Sequence, residues 1–192
     1  MKKLLWIIFV IPLAAHAQFN KGDAYVGASV SGFDGGTFGA APFVGYFINQ
    51  RTSVGAYVRG TSSRHEYDYA NDGMLHIVQV DRDVNVALTA RRWYTLSDKF
   101  YFALQGEIFY SRQVSRSEDD NNNATSNSKY YGLGLNVIPT FLYFPMSRLG
   151  IEAGVGSLSY QFTRGLSDNT KVHNVNLGLG SVTFGVAYYF RK

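Results

Sequence analysis

The sequence predicts an all-β chain, an eight-stranded antiparallel up-and-down transmembrane β-barrel, on three observations. Helix-building residues are scarce, with 4 Glu and 7 Lys among 192 residues, while Gly, Tyr and Phe number 20, 14 and 14; such a composition favours strands and tight turns. Eight stretches alternate apolar and polar residues with period 2, the spacing of a half-buried strand. Their connections alternate between tight turns and longer polar loops, as in barrels whose short turns lie on one side of a membrane and whose loops lie on the other.

Ahead of the first stretch, residues 1–17 read as a signal peptide. Met1-Lys2-Lys3 is a basic start, Leu4–Leu13 is a short apolar run and Ala15-His16-Ala17 is a small-x-small cleavage site. The run of ten apolar residues falls short of the roughly 20 that a membrane-spanning helix needs. The expected organisation is a signal peptide at 1–17 and one barrel domain at 18–192. Cleavage would leave 175 residues with 16 Lys+Arg against 14 Asp+Glu, so the formal charge drops from +4 to +2 and a nucleic-acid partner loses its basis. The absence of cysteine excludes a disulfide scaffold, a thiolate metal site, a cysteine nucleophile and acylation at an N-terminal cysteine.

The first strand, at about 21–32, ends at Gly32–Gly36 (GFDGG). The second, 37–48, contains Pro42 and closes at the tight turn Asn49–Thr52. The third and fourth, 53–69 and 76–94, flank the loop Ala70–Leu75; in the fourth, Val84, Val86, Leu88 and Ala90 oppose Asp83, Asn85, Thr89 and Arg91. After the turn Leu96–Asp98 comes the fifth, 99–116, with Phe100, Phe102, Leu104, Ile108 and Tyr110 on one face and Gln105, Glu107 and Ser111 on the other. Ser117–Ser128 is expected to be the longest loop. The sixth, 129–144, contains Pro139 and turns at Pro145–Arg148. Each proline removes a ladder donor, which predicts a bulge or a strand end at both. The seventh, 149–163, loses parity where Ile151, Ala153 and Val155 give way to Leu158, Tyr160 and Phe162. Past the loop Arg164–Lys171, the eighth, 172–190, ends in the single-face ladder Val182, Phe184, Val186, Tyr188 and Phe190.

Aromatic residues collect at both strand ends. Tyr46, Phe47, Trp93, Tyr94, Phe100, Tyr101, Phe141, Tyr143, Phe144, Tyr188, Tyr189 and Phe190 lie near the short turns, and Phe38, Tyr67, Tyr69, Phe109, Tyr110, Tyr130, Tyr131, Tyr160 and Phe162 near the opposite ends. Two such bands are what the headgroup zones of a bilayer select. The third to sixth stretches exceed the about 9–11 residues of one tilted crossing, so their excess is expected to stand outside the cell as a β-ribbon.

With its leader, eight strands and closing segment VTFGVAYYF (Val182–Phe190), the chain resembles the small outer-membrane β-barrel family that includes the OmpA membrane domain, OmpX and OmpW. Phe184, Val186, Tyr188 and Phe190 match the alternating, aromatic-ended last strand that the barrel-assembly machinery reads in that family, although Arg191 and Lys192 follow the aromatic here. The resemblance implies a cell outer-membrane location and contact with outer-membrane lipids and lipopolysaccharide. It also brings in adhesins, plugs, narrow channels and lipid A enzymes as functions of one barrel.

An enzyme would need convergent chemistry. His65, Glu66, Ser62 and Ser63 supply the right residue types, but strand neighbours point to opposite faces, so His65 and Glu66 cannot orient one another. His76 and His173 read as solvated loop-end residues. The run Glu118–Asn123 lacks the spacing of a calcium loop and reads as a solvated loop. The Gly-x-Gly pairs 132/134, 154/156 and 178/180 lack the helix that phosphate cradling requires, and read instead as a bare inner wall that long side chains, Tyr57, Arg59 and Arg91, cross the barrel to fill. Period 2 turns Arg59, Arg91, Glu107 and Glu152 inward, where the arginines are expected to pair with the carboxylates. The resulting reading is a non-enzymatic scaffold with a side-chain-filled lumen and no cofactor or metal. It presents extracellular loops to a protein or polysaccharide, by strand addition among other modes, or serves envelope integrity. The alternatives are a narrow porin-like channel of the OmpW kind, a lipid A-modifying enzyme and a lipocalin-like secreted barrel.

Overall fold

The computed structural model describes residues 19–32, 37–69, 75–119, 124–166 and 170–191. The expected signal peptide at 1–17, residues 33–36 and 70–74, residues 120–123 of the acidic run and residues 167–169 of the expected Arg164–Lys171 loop lie outside these. Eight strands follow in order: β1 Ala24–Ser31, β2 Thr37–Asn49, β3 Thr52–Tyr69, β4 Leu75–Ser97, β5 Phe100–Asp119, β6 Ala124–Tyr143, β7 Leu149–Gly165 and β8 Lys171–Phe190. Each pairs antiparallel with the next, and β1 pairs with β8 from Ala24↔Phe190 to Ser31↔Thr183, which closes the ring. Closure is what lipid demands, because hydrocarbon offers an unpaired backbone group no partner.

Alternation sorts the side chains inside out. Val84, Val86 and Leu88 on β4 are 51%, 51% and 69% exposed, while the intervening Ala87 and the nearby Arg91 are buried. The outer face is therefore apolar and the inner face mixed, the reverse of a soluble barrel.

The structure lengthens the expected strands at the far end. Ser117–Ser128 is not one long loop: Ser117–Asp119 belong to β5 and Ala124–Ser128 to β6, with Glu118 paired to Ala124. Polar composition does not end the strands here: the β5–β6 ladder continues from Val114↔Lys129 through Ser117↔Ser126 to Glu118↔Ala124. Pro139 coincides with a register shift between β6 and β7, as expected of a bulge. Pro42 does not: pairing with β3 lapses between Ala40↔Gly60 and Phe43↔Tyr57 and resumes in the same register. The parity change in β7 is a bulge at Gly156, whose φ of 70° suits glycine, and the register to both neighbours shifts around it.

The barrel wall is uneven in height. β1 has 8 residues and β4 has 23. Among the described residues, the β1–β8 ladder ends at Ser31↔Thr183 and the β2–β3 ladder at Thr37↔Ser63, while β3 and β8 run on beyond them.

Three inner-wall glycines each sit directly opposite an aromatic residue on the neighbouring strand: Gly45 opposite Tyr25, Gly27 opposite Phe43 and Gly134 opposite Phe109. A Cβ at Gly45 would lie 2.1 Å from the Tyr25 ring, and one at Gly134 would lie 2.5 Å from Phe109. On the expected bare wall, Gly134 is covered by the Phe109 ring of the adjacent strand, while Gly154 lines the lumen cavity that Tyr57, Arg59 and Arg91 also line. Gly45→Ala should lower stability by about 1–3 kcal/mol in urea unfolding from lipid vesicles. Gly60→Ala, where a Cβ meets nothing within 4 Å, should leave the midpoint within about 0.5 kcal/mol of wild type.

Candidate functional site

The candidate site is the lumen, which changes character along its length. At the short-turn end it is closed by aromatic rings. Phe19 stacks on Phe47 with centroids 4.2 Å apart and lies 5.5 Å from Trp93, 5.1 Å from Tyr101, 6.0 Å from Phe144 and 5.8 Å from Tyr189. The segment before β1 is held by its own turn: the Asn20 N–H donates to the Asp23 carboxylate at 2.9 Å, and the Gly22 N–H donates to the Phe47 carbonyl at 2.9 Å. Arg191, one residue beyond β8, lays its guanidinium 4.0 Å from the Phe144 centroid and 5.1 Å from that of Phe19. Burial lowers the Arg191 pKa from its ordinary value, and the nearby Tyr101, Tyr189 and Asp23 oppose that shift.

Above the rings lies a layer of buried polar groups. Arg91 Nη1 meets Glu152 Oε2 at 2.8 Å, and both side chains are more than nine-tenths buried. The Tyr189 hydroxyl donates to the other Glu152 oxygen at 2.9 Å. Since Arg91 is on β4 and Glu152 on β7, this pair does span the lumen. Ser53 joins Tyr25 at 3.2 Å and accepts from the Trp93 indole N–H at 2.9 Å.

A second carboxylate organises the next layer. Glu107 accepts from the Tyr57 hydroxyl at 2.9 Å, from Asn136 at 3.2 Å and from Gln105. Arg59 does not reach Glu107 directly. Its guanidinium lies 4.7 Å from the Tyr57 centroid, so Tyr57 stands between the cation and the carboxylate. Arg59, Arg91 and Glu152 line a cavity of about 50 Å³ together with Ser29, Thr140 and Thr183. Toward the long-strand end the lumen widens into a polar cup of about 330 Å³, lined by Thr61, Ser63, Asp81, Asp83, Asn85, Gln113 and Gln161, with Phe109 at its floor side.

All four expected lumen residues therefore face inward. Arg91 and Glu152 bond directly, whereas Arg59 and Glu107 share a tyrosine. The sequence reading missed Phe19, Ser53 and the role of Arg191. It also assigned every short-turn aromatic to the lipid band, which the structure corrects. Phe47, Trp93, Tyr101, Phe144 and Tyr189 are buried inside, while their immediate neighbours Tyr46, Tyr94, Phe100, Tyr143 and Tyr188 are exposed outside. The signal was present as five adjacent aromatic pairs, since consecutive strand residues cannot share a face.

The enzyme candidates do not converge. Glu66 bonds Arg64 at 2.9 Å on the outer face, and His65 points the other way with its ring 6.4 Å from Tyr67. His173 meets the Tyr160 hydroxyl at 2.8 Å on the barrel exterior. Among the described residues no group of three or more His, Cys, Asp or Glu is placed to hold a metal ion.

No protein-family model matches the chain, and no curated protein sequence does. Solved structures do match. A major outer membrane protein from Thermus thermophilus is 15% identical with a TM-score of 0.54, covering 88% of this chain and 99% of that one. The outer membrane protein OprG from Pseudomonas aeruginosa is 15% identical with a TM-score of 0.50, covering 92% and 100%. Ail, the attachment invasion locus protein of Yersinia pestis, is 13% identical with a TM-score of 0.42, covering 88% and 99%. The first two show the fold: this chain has the eight-stranded barrel architecture of small outer-membrane proteins.

The buried pair gives a sharp energetic expectation. Arg91→Met leaves the Glu152 carboxylate without its cation and should cost about 3–5 kcal/mol in urea unfolding from vesicles. Arg64→Gln, which removes a solvated partner of Glu66, should cost under about 1 kcal/mol. Equal losses would mean that Arg91 and Glu152 are not a desolvated pair.

Proposed function

We propose that the chain is an outer-membrane barrel that conducts no solute and works as a scaffold, with the tall part of its wall as an extracellular contact surface. The observation that carries this reading is the step in wall height. β3 to β8 continue well past the end of β1, so β8 from Lys171 to Val182, beyond its last described pair with β1, presents an edge to which a strand of a partner can add. Their side chains suit a wet surface, with Arg64, His65, Glu66 and Tyr67 on β3 all exposed.

The competing channel reading meets the ring of aromatics at the other end. A solute crossing the barrel would have to displace Phe19 and the five rings around it, then break the Arg91–Glu152 pair above them. Lipid A chemistry lacks a convergent set of catalytic groups among the described residues, and a lipocalin-like barrel would keep its apolar face inside.

Reconstitution in a planar bilayer tests the scaffold against the channel. The full-length mature protein should show no unitary current steps at moderate voltage, and reproducible steps would replace the scaffold with a pore. The orientation is tested separately by proteolysis of intact cells. Cuts should fall in the connections between β3 and β4 and between β5 and β6 and spare Asn49–Thr52 and Pro145–Arg148. The opposite pattern would place the tall wall in the periplasm and remove the contact surface.

A further inference from the structure

The polar cup at the long-strand end is an organised interior. Directly paired residues in an antiparallel sheet share a face, so its wall is a stack of rows. The lowest row is Ala87, Phe109, Gly134 and Gln161 across β4 to β7. The next is Asn85, Ser111 and Gly132. Above them come Thr61, Asp83 and Gln113, then Ser63, Asp81 and Ser115. The row neighbours of Phe109 are the small residues Ala87 and Gly134. A Cβ at Gly134 would fall 2.5 Å from the Phe109 ring, so one face of the ring lies on that glycine and the other is turned to the lumen.

The polar groups around that ring hold one another in place. Gln161 donates to Ser111 at 3.0 Å, Asn85 donates to Asp83, and Gln79 donates to Asp81 at 3.1 Å and to Ser115 at 3.2 Å. These bonds use amide N–H groups and leave acceptor capacity on both carboxylates and on the Asn85 and Gln161 carbonyls. Among the described residues no Lys, Arg or His lines the cup, so a phosphate, sulfate or carboxylate ligand would meet no counter-charge there. A single ring among polar side chains offers too little apolar surface for a lipid tail. The charge of Asp83 is met from below by Arg59, one row down on β3, so a ligand need not bring a cation. What fits is an uncharged ligand rich in hydroxyl groups and with one apolar face. Hydroxyls donate to the carboxylates and amide carbonyls and accept from amide N–H groups, while a C–H face lies on the aromatic ring.

We propose that the cup is a binding site for a neutral mono- or disaccharide, with Phe109 as the stacking platform and Asp81, Asp83, Asn85, Gln113 and Gln161 as the hydroxyl-binding groups. Its volume of about 330 Å³ lies in the range of small-molecule sites. Groups fixed by their neighbours before binding lose little freedom when a ligand arrives. The site is separate from the β8 edge offered to a partner strand. Because the aromatic rings close the short-turn end, a sugar enters and leaves by the same mouth.

The test is saturation-transfer NMR on the full mature chain refolded in detergent micelles. The probes are glucose, galactose, N-acetylglucosamine, maltose and lactose, with glucuronate as the charged control. At least one neutral sugar should receive transfer, strongest at the C–H protons of one ring face, and glucuronate should receive none. Phe109→Leu should weaken the best neutral sugar about threefold to tenfold by removing the platform. Asp83→Asn should weaken it about tenfold or more by removing a charged acceptor. Arg64→Gln, on the outer face of β3, should leave binding unchanged. The heat-dependent shift in gel mobility reads folding of each variant separately, and if either cup variant loses that shift, Gln113→Ala, which removes the third amide, takes its place. No transfer to any neutral sugar, equal transfer to glucuronate, or wild-type affinity in the folded cup variants would overturn the proposal.

Discussion

Eight strands enclose a space just wide enough for side chains, and every inward-facing residue of this protein answers to that limit. A ring on one strand can lie flat only where its neighbour carries no Cβ, which is why Tyr25, Phe43 and Phe109 each face a glycine across the ladder. Gly132 meets the same need in polar form. A Cβ there would come within 2.6 Å of both Gln161 and Ser111, whose hydrogen bond of 3.0 Å passes over it from β7 to β5. The small lumen also fixes the cost of charge. Arg91 and Glu152 have almost no water, so the pair depends on its direct contact and on the Tyr189 hydroxyl, with Tyr25, Phe43 and Trp93 each within 6 Å of the guanidinium by ring centroid.

Parity explains both what could be read from the sequence and what could not. The alternation of Val84 to Arg91 and of Phe100 to Ser111 predicted the faces of β4 and β5, and the inward placement of Arg59, Arg91, Glu107 and Glu152 followed from it. Parity cannot tell which inward residues reach one another, because that depends on strand tilt and side-chain length. Arg91 reaches across three strands to Glu152, whereas Arg59 stops at Tyr57. Height along the strands places every short-turn aromatic in the lipid band, and parity divides them. Tyr46-Phe47 and Trp93-Tyr94 each divide between lipid and lumen, and a tally of aromatic residues by height cannot see the division. Phe19 lay beyond this kind of reading altogether, since it belongs to a short turn and not to an alternating strand.

The two ends of the barrel solve different problems with the same residue types. At the short-turn end the connections are tight and the lumen is filled with rings, which exclude water and leave few polar groups to satisfy. At the far end polar residues continue the strands. Gln79 donates to Asp81 beside it and to Ser115 on the neighbouring strand, and the β5–β6 ladder runs on through Ser117↔Ser126, so a sequence that looks like loop remains ladder. Loop-like composition marks solvation, and solvation alone does not end a strand when the partner strand is equally polar.

The basic residue after the last aromatic finds its reason in the same packing. Phe190 points to the lipid side and Tyr189 to the lumen, so the chain leaves β8 beneath the ring cluster, and the next side chain, Arg191, lies against Phe144, Phe19 and Tyr189. Its Nε and Nη2 are buried without hydrogen-bond partners. An arginine in that position would be costly against aliphatic side chains, because its donors lose water and gain nothing. Against aromatic faces the guanidinium retains an electrostatic partner, the ring quadrupole, and the buried Asp23 carboxylate contributes charge of the opposite sign. The cluster therefore accepts a cation that a Leu- and Val-lined end would expel. Phe19 from the N-terminal side and Arg191 from the C-terminal side then meet at the seam where β1 and β8 close the ring.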